Sequence, residues 1–158
     1  MNIFVLDFDP LVAAKMHNNK HVVKMILESA QLLCIAHTFT GNDPPYKIKA
    51  FKNHPCSIWV RQSINNYRWL CVLAKALCKE YTFRYGKIHK TESVIDWLTI
   101  NEPKLADLPM TPFAQAMPEE YRNNNAVVAY RRYYIEGKNH LAQWKKRERP
   151  KWYVEISS

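Results

Sequence analysis

Residues 20–37 read Lys-His-Val-Val-Lys-Met-Ile-Leu-Glu-Ser-Ala-Gln-Leu-Leu-Cys-Ile-Ala-His, and they constrain the fold more than any other stretch of the chain. Wound as an α-helix at roughly 100° per residue, they put His21, Lys24, Glu28 and Gln31 on one narrow stripe. Val22, Val23, Ile26, Leu27, Ala30 and Leu33 fill most of the remaining circumference. A helix apolar on most sides is a core helix, and its ammonium and carboxylate are costly to bury unless they are paired or line a solvated pocket. The plainer alternative is a solvent-facing Lys24–Glu28 pair at i,i+4, worth only ~0.3–0.5 kcal/mol. Both readings stay open at this level.

The rest of the chain also reads as helix. It has three glycines in 158 residues, and no strand alternation persists beyond the opening Ile3-Phe4-Val5-Leu6. Asp9-Pro10 supplies an N-cap and a first-turn proline, so a short helix is expected over 10–17, with Asn18-Asn19 breaking it before the 20–37 segment. His54-Pro55 opens what reads as the longest helix, running to Tyr85 and stopped by Gly86. On it Ser57, Arg61, Asn65 and Arg68 form a second polar stripe. Thr91 is placed to cap a helix through Leu98. Pro103, Pro109, Pro112 and Pro118 then impose a long irregular stretch, too apolar to be disordered. A last helix is expected from Asn125, interrupted near Gly137, through Lys146. The expected architecture is all-α, a compact single domain (1–158) with two long core helices and an irregular Pro-rich loop.

Charge narrows the partners. The 23 Lys and Arg outweigh 14 Asp and Glu for a net charge of +9, the footprint of a protein that meets phosphates, so DNA or a nucleotide is the expected partner. The excess peaks at 145–151, followed by Trp152-Tyr153, either a solvated tail or a segment that tracks nucleic acid. Neither a run of ~20 apolar residues nor signal-peptide features occur at the sequence level, so an intracellular, cytoplasmic monomer that meets no membrane is expected. Cys34, Cys56, Cys71 and Cys78 lack zinc-ligand spacing and read as reduced core thiols, and no metal or cofactor is expected.

No phosphate-binding glycine loop or nucleophile elbow is present. What remains is a constellation: Lys20, His21, Lys24 and Glu28 on one helix, His54, Arg61, Asn65 and Arg68 on another, and Lys87 after it. Cations beside a carboxylate and imidazoles suit chemistry on a phosphate- or sugar-bearing substrate, the cations holding the anion while Glu or His moves a proton. Two flanking lysines are expected to keep His21 neutral. Phe113, Gln115 and Trp152 are candidates to wedge into or read a base, and Phe113 is equally well explained by packing.

In order and pattern the chain resembles the pyrimidine-dimer DNA glycosylase (endonuclease V) family, small basic all-helical DNA-repair enzymes common in phages. The resemblance lies in Lys20 to Lys24, His54-Pro55, Tyr81-Thr82-Phe83 with Gly86-Lys87, and Arg149-Pro150-Lys151-Trp152-Tyr153. It implies excision of damaged or modified pyrimidines from DNA, with or without cleavage at the abasic site. Two departures follow. The family attacks the sugar C1′ with the α-amino group of a threonine exposed by methionine removal, whereas this chain begins Met1-Asn2, a poor context for that removal. The family's Arg-Glu-x-x-Arg cluster finds its nearest counterpart in Lys20-His21-Val22-Val23-Lys24, which leaves Glu28, one turn on, to supply the carboxylate. On this reading Glu28, His21 and Lys24 are catalytic, with Lys24 or Lys20 as the amine nucleophile. Lys20, Arg61, Asn65, Arg68, His54, Lys87, Gln115 and Trp152 bind substrate. The competing readings are a nucleotide or modified-nucleoside hydrolase or transferase, and a non-catalytic binding module.

Overall fold

A computed structural model of the chain describes residues 1–154; the last four positions of the expected 1–158 unit lie outside the described residues. The fold is all-α. Among the described residues six helices run in order, α1 (Pro10–Met16), α2 (Asn19–Thr38), α3 (Pro55–Gln62), α4 (Ile64–Tyr85), α5 (Glu92–Ile100) and α6 (Ala126–Gly137), with single 3₁₀ turns at Glu119–Tyr121 and Asn139–Leu141.

The helix boundaries follow from capping chemistry. Asp9 accepts from the Leu11 amide ahead of Pro10, Asn18 accepts from the His21 amide, and Gly86 ends α4 in the left-handed region at φ 67°. The expected single helix from 55 to 85 is instead two helices broken at Ser63. The cause is the Ser63 side chain. Its residue is extended (φ −154°, ψ 144°), and its hydroxyl accepts from the Asn65 amide at 3.1 Å while donating to the Leu108 carbonyl. That local bonding competes with an uninterrupted helix, and it splits the expected second polar stripe between two axes. The last helix is also shorter than expected, stopping at Gly137, and 142–146 are not helical. On the Thr91 cap, the side chain makes no capping bond and its hydroxyl instead meets Tyr46 Oη at 3.3 Å.

The core lies where the 20-residue α2 and the 22-residue α4 pack along one another, with α1, α3 and α5 laid against them. Ile26, Leu33, Leu70, Leu73 and Leu77 are closed to solvent there, and the four cysteines are free and buried. The Pro-rich stretch 101–118 has no regular structure but is tied down. Buried Asn66 donates to the Trp59 carbonyl (2.7 Å) and to Thr111 Oγ1 (2.8 Å) and accepts from the Thr111 amide, and the Trp59 indole donates to the Thr111 carbonyl. This is how an irregular segment satisfies its backbone without a ladder. Among the described residues no helix is long and apolar enough to cross a membrane.

Two features place the site. The opening Ile3–Leu6 segment is buried outside any helix, the Leu6 amide turning back to the Phe4 carbonyl at 3.0 Å, with Phe4 ringed by His21, Tyr130, Tyr133 and Tyr134. Helix α6 lies over it, Arg131 donating to the Leu6 carbonyl and reaching Asp7. The start of the chain is thereby threaded into the interior rather than left to fray.

Candidate active site

Threading Ile3–Leu6 into the core carries the two residues before it to Glu28, in the middle of α2. The α-amino nitrogen of Met1 stands 3.2 Å from Glu28 Oε1, and the Asn2 amide donates to the same oxygen at 3.1 Å. The side chains of Met1 and Glu28 are only 5% and 10% exposed, while Met1 as a whole is part-buried, so the pair stands in a wall that is open on the side of the amine. The other carboxylate oxygen, Oε2, is buried without a hydrogen-bond partner among the described residues, and Lys24 Nζ lies 3.7 Å from it. Lys24 itself is 63% exposed, so its ammonium sits at the lip and not in the wall.

His54 closes a second side. Its Nδ1 accepts the Cys56 amide at 3.1 Å as the N-cap of α3, and its ring faces the Met1 backbone. An imidazole that accepts at Nδ1 carries its neutral-form proton on Nε2. Burial lowers the His54 pKa, the nearby α-amino group lowers it further, and Glu28 opposes both. Neighbouring Cys56 is pushed up to about 12, mainly by burial, so its thiol stays protonated and is no competing nucleophile. Asn2 fills the remaining corner: its Nδ2 donates to the Ala116 carbonyl at 2.8 Å and its Oδ1 accepts from Tyr130 Oη at 2.9 Å.

Of the residues singled out from sequence, Glu28, Lys24 and His54 meet at this point. Lys20 is exposed on the first turn of α2 and shares with Lys24, Tyr85, His140 and Gln143 a cleft of about 490 Å³. Lys87 is exposed just past Gly86, at the same end of α4 as Tyr85. Gln115 lines a second cleft, beside Pro55, with Phe113, Arg122, Asn123 and Asn124; its amide is bonded in both directions to the Asn123 backbone.

The others are engaged elsewhere. His21 stacks on Phe4 with centroids 4.2 Å apart, and its Nδ1 is 2.6 Å from Tyr134 Oη. Tyr134 accepts the Asn18 amide, so its own proton goes to His21. Desolvation, aided by His17, Lys138, Lys24 and His140, holds the His21 pKa down at about 2, so it is neutral as expected. Arg61 donates to the Lys52 carbonyl and lies 4.0 Å over the Phe39 ring, Arg68 is paired through two nitrogens with Glu102, and Asn65 donates to the Leu108 carbonyl. Phe113 is stacked on Trp59 and edge-on to Trp69, and Trp152 bonds to Met16 Sδ beneath the Arg131 guanidinium.

The basic run is no free tail. Arg147 forms two 2.9 Å bonds to Glu80, which also holds the fully buried Arg84, and Lys145 lies over the Tyr85 ring.

A part-buried amine against a buried carboxylate, with Lys24 at the lip, is equipped to attack an electrophilic carbon and to relay the protons released. A family model described as pyrimidine dimer DNA glycosylase matches residues 1–93. The chain belongs to that family. At the family level it is therefore a DNA glycosylase, with DNA as its substrate. The matched region carries Met1, Glu28, His54 and Cys56, while the Pro-rich stretch, α6 and the basic run lie beyond it. No curated protein and no solved structure matches the chain.

Met1, Asn2, Cys56 and Tyr130, not singled out from sequence, also stand at this point. With Met1-Asn2 in place of a terminal threonine, the resemblance puts the amine role on Lys24 or Lys20. The available signal was the buried run Ile3–Leu6, which has to pull whatever precedes it inward.

Proposed function

We propose that the chain excises damaged or modified pyrimidines from DNA with the α-amino group of Met1 as nucleophile and Glu28 as its acid/base, and that it cleaves the resulting abasic site. The observation that carries this is the 3.2 Å contact between the Met1 nitrogen and the buried Glu28 carboxylate. Lys24, the alternative amine, is largely solvated and 3.7 Å from the same carboxylate.

In the reaction the Met1 ammonium first gives up one proton to solvent, and the uncharged amine, with Glu28 still a carboxylate, attacks C1′ of the damaged nucleotide. The new C1′–N bond forms as the glycosidic bond breaks, its electron pair leaving with the base, which takes up a proton. Glu28 accepts a proton from the attached amine and delivers it to the ring oxygen O4′ as the sugar opens, leaving a protonated imine between C1′ and the terminus. Loss of a C2′ proton then expels the 3′ phosphate, and water releases the amine. Lys24 and Lys20 hold flanking phosphates, and His54 holds the Met1 backbone.

Borohydride reduces the imine to a stable link and so reports the nucleophile. On ultraviolet-irradiated duplex the expected outcome is a covalent adduct on the N-terminal peptide, lost in Glu28→Gln. An adduct mapped to Lys20 or Lys24 moves the nucleophile, and the absence of both base release and adduct rejects the reaction.

A further inference from the structure

We infer that Tyr130 is a positioning residue for this reaction: acting through the Asn2 side chain, it fixes where the α-amino group stands against Glu28. The inference rests on the reaction proposed above.

Tyr130, on α6, is fully buried. Its hydroxyl lies 2.9 Å from both Asn2 Oδ1 and the Ala114 carbonyl and accepts the Ala116 amide at 3.2 Å. Asn2 Oδ1 in turn takes the Ile3 amide at 2.8 Å and the Cys56 thiol at 3.8 Å, and Asn2 Nδ2 donates to the Ala116 carbonyl. One side-chain amide thus joins the chain terminus to α3, to the Pro-rich stretch and to α6. Keeping the terminus in place needs only the apolar grip on Ile3–Leu6, which is nonspecific in direction. Hydrogen bonds are directional, and these act one residue from the amine, where they set the rotation of the first backbone bonds and hence the line of the nitrogen lone pair. A displacement of ~1 Å at a reacting group is enough to cost ~10²-fold in rate. Tyr130 lies outside the family-matched residues 1–93.

The test is a double-mutant cycle on single-turnover borohydride trapping with irradiated duplex, using Tyr130→Phe, Asn2→Leu and the double variant. Tyr130→Phe keeps the ring and removes one oxygen, and Asn2→Leu leaves α6 whole should Tyr130→Phe fold poorly. Each single variant is expected to slow N-terminal trapping about 10- to 100-fold while duplex affinity stays within about twofold. The double variant is expected to be no slower than the worse single one, because the two residues act as one unit. Trapping at the wild-type rate in either folded variant, or losses that multiply in the double, overturns the inference while leaving the proposed reaction standing. A wild-type adduct on another peptide overturns both.

Discussion

At the scale of single residues, two histidines carry a pH signature. His17 is fully buried, its Nδ1 bonded to the Ala13 carbonyl and its Nε2 without a partner among the described residues. Burial lowers its pKa from 6.5 to about 4, Arg84 lowering it further while Ala13 and Glu80 oppose, and His21 is held at about 2. Groups whose folded pKa lies below the unfolded value bind more protons unfolded in acid. Their contribution is therefore intact above pH 6.5 and is lost as pH falls toward the folded values. Each accounts for about 1.4 kcal/mol per pH unit in that window. Urea unfolding at pH 7.5 and pH 5 is expected to show the native state weakened by about 4 kcal/mol from the pair; an unchanged unfolding free energy would contradict their neutral burial. From sequence a neutral His21 is expected on account of its flanking lysines, whereas the larger cause is desolvation among Phe4 and Tyr134, both remote in the chain. Glu28 was legible because a carboxylate inside an apolar helix needs a partner. That partner was not, because nothing local to residues 20–37 says that the chain terminus arrives there.

Among the elements, the α3–α4 break depends on one hydroxyl. Ser63 caps α4 and holds Leu108, and Asn65 Nδ2 bonds to the same carbonyl. Ser63→Ala is expected to cost ~1–2 kcal/mol and to release the 101–118 stretch, so that limited proteolysis cuts faster at Lys104 while the helical circular dichroism persists. Capping signals made most helices readable: Asp9-Pro10, Asn18 and Gly86 act as their residue types predict. Ser63 was missed because a serine amid helix formers carries a weak local signal, and its preference is decided by a carbonyl 45 residues away. The basic run was ambiguous for the same reason. Glu80 cannot be seen from residues 145–151, yet it fixes them. Burial would raise its pKa, and the bonds from Arg147 and Arg84 overcome this and hold it below the usual carboxylate range. Glu80→Gln leaves the buried Arg84 without its counter-charge and is expected to cost ~3–5 kcal/mol, read as a lowered unfolding midpoint and earlier tryptic cleavage within 145–151.

For the whole molecule, a net charge of +9 governs the encounter with DNA. Duplex affinity is expected to fall steeply with salt. Lys20→Gln is expected to weaken binding uniformly across sequences and to flatten the log–log salt slope by ~0.9, the share of one phosphate contact. A salt-insensitive association would favour a nucleotide pocket over a DNA track.

The bond between Tyr130 and Asn2 joins positions 128 apart in the chain, so the pocket around the terminus is complete only after α6 has emerged and docked. Chains made from the N-terminal end fold as they emerge, and closing so long a loop waits for its far end. During synthesis the terminus consequently stays open to enzymes that trim or unblock nascent chains, and α6 then fixes it through Asn2. On the proposed reaction, that interval is when a masking group is most readily cleared, so the order of translation bears on how the reactive centre is assembled.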